Sequence, residues 1–207
     1  MKSDSFVFLD NVEYTRSFIN RNKIKTPNGW MWLTLPVKKD HRVQSKINQV
    51  EIDNSRNWKM EHWKSIQRNY GKAEYFNQFK DFFENIFSKE WTKLSDMNIF
   101  IIKKLSKFLG IERKFFEASK LNVSGKGTEL LINICKAVGA TGYFSGQGSK
   151  NYMDDIKFKK QNIKLTYQEI KHPQHKQRFG KFIPNLSFID ILFNEGKENT
   201  LKIMKNL

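Results

Sequence analysis

The chain has 207 residues, 39% of them hydrophobic, with 18 Phe, 6 Tyr and 5 Trp, so it can bury a sizeable core and is too apolar for intrinsic disorder. Its 37 Lys and Arg against 21 Asp and Glu give a formal net charge of +16, which favours anionic partners such as nucleic acid, membrane surfaces or phosphorylated metabolites. No stretch approaches the roughly 20 apolar residues of a membrane span, the opening MKSDSFVFLD lacks a signal-peptide core, and the single cysteine, Cys135, excludes an intrachain disulfide and a cysteine-based zinc site.

In chain order, FVFLD (6–10) is a short apolar run closed by an acid and predicts a buried strand. WMWLTLPV (30–37) follows the turn signal TPNG (26–29) and predicts a second strand, with Pro36 placing its end near an edge. KINQVEID (46–53) is expected to pair with it as a hairpin. Helices then take over. Asn54 or Ser55 is expected to cap one that carries Trp58, His62, Trp63, Ile66 and Tyr70 and stops at Gly71. A second spans 73–87 on Phe76, Phe79, Phe83 and Phe87, and a third runs from Glu90 to Leu109 with Gly110 as its stop. KFFEASKL (114–121) reads as a strand, and Thr128 opens a helix through Leu131, Ile134 and Cys135 to Gly139. TGYFSG (141–146) is a strand entering a glycine-rich turn, followed by a short helix near 152–160 and the strand IKLTYQEI (163–170). Two helices close the chain, Ser187 to Phe193 and Asn199 to Met204. This order predicts an α/β protein, a single domain with a mixed or mostly parallel sheet in three layers. It is β-rich over 1–53, helical over 54–110 and α/β over 111–207.

The stretch HPQHKQRFGKFIPNLSFIDILFNEG (172–196) concentrates the chemistry. Pro173 disfavours helix at His172, which puts His172 and His175 on a loop. Zinc would need a third protein ligand, and no spacing supplies one. A histidine suits general-base work near neutral pH, while the alternative is an imidazole that merely binds a turn. Arg178 can hold a phosphate or carboxylate bidentately, or can face solvent. Asn185 and Ser187 stand where the following helix begins. Asp190 then falls in an apolar helix, where an unpaired carboxylate is costly, so it predicts a partner, with His172 the one expected.

Elsewhere, SGQGSKNY (145–152) places Gly146, Gly148 and Tyr152 between a strand and a helix, where backbone amides can approach phosphate. It has neither Rossmann nor P-loop spacing, and a plain turn is the alternative. Asn20, Arg21 and Asn22 can bind sugar hydroxyls or phosphate, or form a solvated loop. Asp10 ends the first strand, a position where ligands gather in α/β sheets. Cys135 lies in an apolar helical pattern and reads as structural. Trp30, Trp32, Trp58 and Trp63 with the basic residues raise single-strand binding, but their spacings are explained first by a core. The lysines are spread along the chain, which favours diffuse charge over a dedicated nucleic-acid surface.

Three blocks carry a resemblance: SDSFVFLDNVEYTRSFINRNKIKTPNGWMWLTLPV, SGKGTELLINICKAVGATGYFSGQGSKNYMDD and YQEIKHPQHKQRFGKFIPNLSFIDILFNEG. Together they resemble the WbqC-like family over essentially the whole chain. Members of that family lie in bacterial gene clusters for lipopolysaccharide O-antigens and other surface polysaccharides. The resemblance implies a transferase that places an acyl or aminoacyl group, a glycyl group being one suggestion, on the amine of a nucleotide-linked amino sugar, and the lack of a span or signal core makes a soluble cytoplasmic protein the expectation. His172 matches the family's His-Pro position and would deprotonate the amine, with Asp190 orienting it. His175 falls where other members often carry an aromatic residue and is set aside. Arg21 or Arg178 would hold phosphate, and amides of the Gly146–Gly148 turn would cradle phosphates or an oxyanion. The partners implied are a nucleotide-linked sugar and an unknown acyl donor, and no motif names a cofactor. Family members usually carry a segment patterned like HQPNY.PW ahead of the first block. This chain is expected to lack it, so a non-catalytic truncated member is an alternative reading, beside a basic nucleic-acid-binding module.

Overall fold

The TPNG turn closes a hairpin, but the strand that pairs with residues 29–34 is the one before the turn and not the one expected after it. The computed structural model describes residues 3–41, 44–169 and 173–206. Its strands are β1 Ser5–Phe8, β2 Arg21–Thr26, β3 Gly29–Thr34, β4 Lys114–Glu117, β5 Gly142–Gly146 and β6 Lys164–Gln168. Its helices are α1 Trp58–Tyr70, α2 Phe76–Ser88, α3 Leu94–Phe108, α4 Gly127–Ala137, α5 Asp155–Lys160 and α6 Phe188–Lys205. The chain is α/β. β1–β4 and β5–β6 are parallel and β2–β3 is antiparallel, so the mixed pairing is spread over three two-stranded sheets.

β2 (RNKIKT) contains one apolar residue, Ile24, which is why alternation does not announce it. The pairing is fixed instead by the backbone ladder and by the two-residue turn before Gly29, whose φ of 114° only glycine adopts without strain. KINQVEID forms a single 3-10 turn, Ile47–Gln49, and pairs with the segment after β3 at the isolated Val37–Ile52 bridge, beside the Lys38–Glu51 ion pair. Asn54 does not cap α1. Its side chain accepts from the Trp58 indole N–H and donates to the Trp91 carbonyl oxygen.

The chain forms two compact units. The first, Met1–Asn11 with Glu112–Lys171, holds β1, β4, α4, β5, α5 and β6. Its buried cluster is Ile132, Cys135, Phe158 and Ile163, with the Tyr143 ring stacked on Phe158 at 5.5 Å. Burial pushes the Cys135 thiol pKa up, which suits the structural role expected for it. The β4 segment is shorter than its apolar run: the strand stops at Glu117 and a 3-10 turn, Ala118–Lys120, follows.

The second unit, Val12–Ile111 with His172–Leu207, holds β2, β3, α1, α2, α3 and α6. α2 buries Phe76, Phe79 and Phe83 as their spacing predicts, with Ile86 buried as well and Phe87 only half-buried. All four of Tyr70, Phe76, Phe79 and Phe83 place their rings within 6.2 Å of Phe193 from α6.

α6 is two helices in one run, as expected, broken at Gly196 with φ 69° and ψ −177°. A Cβ there would sit 2.6 Å from the Tyr75 ring. Gly196→Ala is therefore expected to destabilise the protein by roughly 2–5 kcal/mol, combining backbone strain with overpacking. Urea unfolding checks this, and an unchanged midpoint would mean the break is not held against Tyr75. Among the described residues, no helix is long and apolar enough to cross a membrane.

Candidate functional site

α6 begins at Phe188, and its third residue, Asp190, is 1% exposed. Such a carboxylate must be satisfied within the protein. His175, on the loop that leads into α6, places Nε2 at 2.8 Å from Asp190 Oδ2. Tyr70, the last residue of α1, donates its hydroxyl to Asp190 Oδ1 at 2.9 Å. The same hydroxyl accepts the Lys25 backbone N–H from β2 at 2.9 Å. Asn194, one turn on, donates its side-chain amide to the Asp190 carbonyl oxygen at 2.7 Å.

Lys25 is itself 1% exposed. Its Nζ donates to Gln177 Oε1 at 2.9 Å and to the Lys181 carbonyl oxygen at 2.5 Å. Gln177 closes the loop on itself, donating to the Ile183 carbonyl oxygen and accepting the Ile183 N–H, both at 2.9 Å. Phe179, Gly180 and Asn185 have positive φ, so this segment turns back sharply between His175 and α6.

Electrostatics follow from burial. Desolvation pulls the Lys25 ammonium pKa down, and Asp190 partly opposes the shift. Desolvation pushes the Tyr70 hydroxyl pKa up, with the Asp190 charge adding to it, so Tyr70 remains a neutral donor. Asp190 is an acceptor when ionised, so the imidazole presents Nε2–H to it. Nδ1 is then the basic nitrogen. It lies 3.5 Å from the Pro173 carbonyl oxygen, which can only accept and so bonds this nitrogen only once it carries a proton. The His175 ring is held edge-on against Phe182, with centroids 5.4 Å apart. A carboxylate that fixes one imidazole nitrogen and leaves the other basic is the arrangement general-base catalysis requires.

His172 lies outside the described residues. The partner expected for Asp190 is His172; among the described residues the imidazole that meets it is His175, the histidine set aside on resemblance. Arg178 stacks over its neighbour Phe179 at 4.7 Å, and its buried Nε has no hydrogen-bond partner among the described residues. Asn185 is a turn residue at φ 60°. Asn20 is 5% exposed and donates to the Leu35 carbonyl oxygen, while its buried Oδ1 has no partner among the described residues. Arg21 lies over Trp32. Asn22 is exposed and accepts the Lys23 N–H.

The remaining candidates belong to the other unit. Asp10 is buried and accepts the Ser119 N–H at 2.9 Å and hydroxyl at 2.6 Å, tying β1 to the turn after β4. Gly146 and Gly148 have open space where a Cβ would stand and do not adopt positive φ, so neither conformation nor packing demands glycine there. The Ser149 hydroxyl donates to the Gly146 carbonyl oxygen at 2.7 Å. Tyr152 is 72% exposed.

Lys25, Tyr70, His175 and Gln177 were not singled out as one cluster by the sequence. Tyr70 reads as part of an apolar helix face, and Lys25 as one more residue of the stretch with Asn20, Arg21 and Asn22 that faces a ligand or solvent.

The model of the WbqC-like protein family matches residues 1–202 of the chain. An uncharacterised protein of Mycobacterium tuberculosis, Rv1507c, is 33% identical over 198 residues, which span 94% of this chain and 85% of that relative. No solved structure matches.

Proposed function

The chain belongs to the WbqC-like family, and from that premise we propose that it transfers an acyl or aminoacyl group to the amine of a nucleotide-linked amino sugar. The reaction would serve surface-polysaccharide synthesis, such as that of O-antigen, in the cytoplasm. The observation that carries this reading is the 2.8 Å contact between His175 and the buried Asp190, steadied on its far side by Tyr70.

In this reading His175 Nδ1 removes a proton from the sugar's amine as its nitrogen attacks the donor's carbonyl carbon. A C–N bond forms, the bond to the leaving group breaks, and the proton passes to the leaving group. Asp190 holds the imidazole in the productive tautomer, and Tyr70 and Asn194 hold Asp190. Arg178, in the same loop, or Arg21 holds phosphate. His172 is the alternative base.

The test incubates the protein with nucleotide-linked amino sugars and activated acyl and aminoacyl donors, and follows product mass. The expected result is a mass gain of one acyl group, lost by about 10²-fold or more in His175→Ala. Circular dichroism checks that the variant is folded. His172→Ala is run in parallel. A full rate in His175→Ala with loss in His172→Ala would assign the base to His172, and full rates in both would remove imidazole catalysis.

A further inference from the structure

Three of the five tryptophans behave as packed residues. The indole N–H groups of Trp58, Trp63 and Trp91 donate to Asn54, Glu84 and the Ile86 carbonyl oxygen. Trp30 and Trp32 differ. They stand on the β2–β3 hairpin, and among the described residues neither indole N–H has a protein acceptor. Trp30 is 45% exposed, so the core position expected for it does not hold.

Register puts these rings beside cations. Lys23 is opposite Trp32 on the ladder, and Lys25 is opposite Trp30. Lys23 Nζ lies 4.5 Å from the Trp30 ring centroid and 5.3 Å from that of Trp32. The Arg21 guanidinium is 4.3 Å from the Trp32 centroid. The Trp30 and Trp32 centroids are 5.7 Å apart at 83°, and Phe18, 61% exposed, stands 5.6 Å from Trp32. Among the described residues, no carboxylate forms an ion pair with Arg21 or Lys23. One hairpin face thus presents two indoles set edge-to-face, with two cations that no carboxylate neutralises among the described residues lying over their rings.

We propose that this face is the nucleotide subsite: a nucleobase stacks on the exposed Trp30 ring with the Trp32 indole against its edge, and Arg21 and Lys23 hold the attached diphosphate. The assignment rests on the sugar-nucleotide reading above and deepens it. A neutral sugar ring would use the indoles but leave both cations without a role, whereas a free phosphate would ignore the indoles. A nucleoside diphosphate uses both within one molecule. The platform is a single pair of indoles with two cations, which suits one base better than a polynucleotide strand. Its position fits as well. Lys25, two residues and about 7 Å along β2 from Lys23, gives its N–H to the Tyr70 hydroxyl that holds Asp190. The Ser187 N–H at the start of α6 donates to the Lys23 carbonyl oxygen at 2.8 Å.

The test is calorimetric titration of the full chain with uridine, thymidine, guanosine and cytidine diphosphates. The matching nucleosides, pyrophosphate, and a single-stranded oligothymidine at low and high salt are titrated beside them. One diphosphate should bind more tightly than its nucleoside or pyrophosphate alone. Trp30→Ala and Trp32→Ala should each weaken it by about tenfold or more, the range of a lost base stack. Trp30→Phe, which keeps a ring, should restore most of the affinity and serves as the fold control. Arg21→Gln and Lys23→Gln should weaken the diphosphate while leaving the nucleoside unchanged.

Unaltered diphosphate binding in the tryptophan variants overturns the subsite and leaves the transferase reading standing, since transfer would still depend on His175. Binding of the oligonucleotide alone, steep in salt and lost in the same variants, overturns it in favour of a nucleic-acid surface. No binding of any nucleoside diphosphate to the unaltered chain overturns the subsite too. Transfer in the product-mass assay then decides whether the transferase reading survives.

Discussion

Asp190→Ala is expected to cost about 3–5 kcal/mol of stability, a fall in Tm of roughly 6–20 °C for a chain of this size. The carboxylate is 1% exposed and accepts from Tyr70 through one oxygen while meeting His175 through the other. Removing it strands a buried hydroxyl donor and takes away the negative charge that opposes the desolvation of the buried Lys25 ammonium. Asp190→Asn separates packing from chemistry. Its carbonyl oxygen can still accept from Tyr70, but its amide then faces Nε2 and donates to it. The imidazole must carry its proton on Nδ1 and can no longer act as a base there. The asparagine variant should therefore keep most of the stability while transfer falls by about 10²–10⁴-fold. Urea unfolding and the product-mass assay on both variants decide the matter. An asparagine variant as active as the parent would mean that Asp190 does not set the tautomer. An alanine variant as stable as the parent would mean that the network does not hold α6 to α1.

What the sequence displayed and what it hid divide along physical lines. Periodic burial is local, so α2 could be placed from Phe76, Phe79 and Phe83, and Asp190 could be marked as needing a partner from the apolar residues around it. Gly196 was visible as the gap between two helical patterns. β2 was hidden because a strand with one buried apolar residue has no alternation to read, and its ladder depends on β3. The loop chemistry was hidden for a different reason. Which imidazole reaches Asp190 depends on left-handed turns at Phe179, Gly180 and Asn185, and a pattern of residue types does not specify their combined direction. Lys25 is the extreme case. A lysine in a basic chain reads as surface, and only the return of Gln177 and Lys181 from 152 and 156 residues away supplies acceptors for a buried ammonium. Trp30 and Trp32 failed the opposite way, because aromatic residues in a strand are assigned to a core unless something shows that face to be open.

Phe193→Ala is the second large effect, about 3–5 kcal/mol for a fully buried phenylalanine. Phe193 is 0% exposed and sits between α1 and α2, in ring contact with Tyr70 at 5.4 Å, Phe76 at 5.1 Å and Phe83 at 5.3 Å. It is also three residues after Asp190, so the two side chains leave neighbouring positions on one helix face. Its ring supports the body of Tyr70 while Asp190 receives the hydroxyl. Truncating Phe193 should then do more than lower stability: Tyr70 should loosen, and with it the bond from the Lys25 N–H. Amide hydrogen exchange reads this directly. At matched global stability, with Phe79→Ala as the comparison, Lys25 should lose more protection in Phe193→Ala. Phe79 contacts Phe193 but is not in ring contact with Tyr70 among the described residues. Equal protection in the two variants would show that the aromatic cluster stabilises the unit as a whole without positioning the tyrosine. A selective loss at Lys25 would instead make Phe193 the packing residue through which the core holds the His175–Asp190 pair in place.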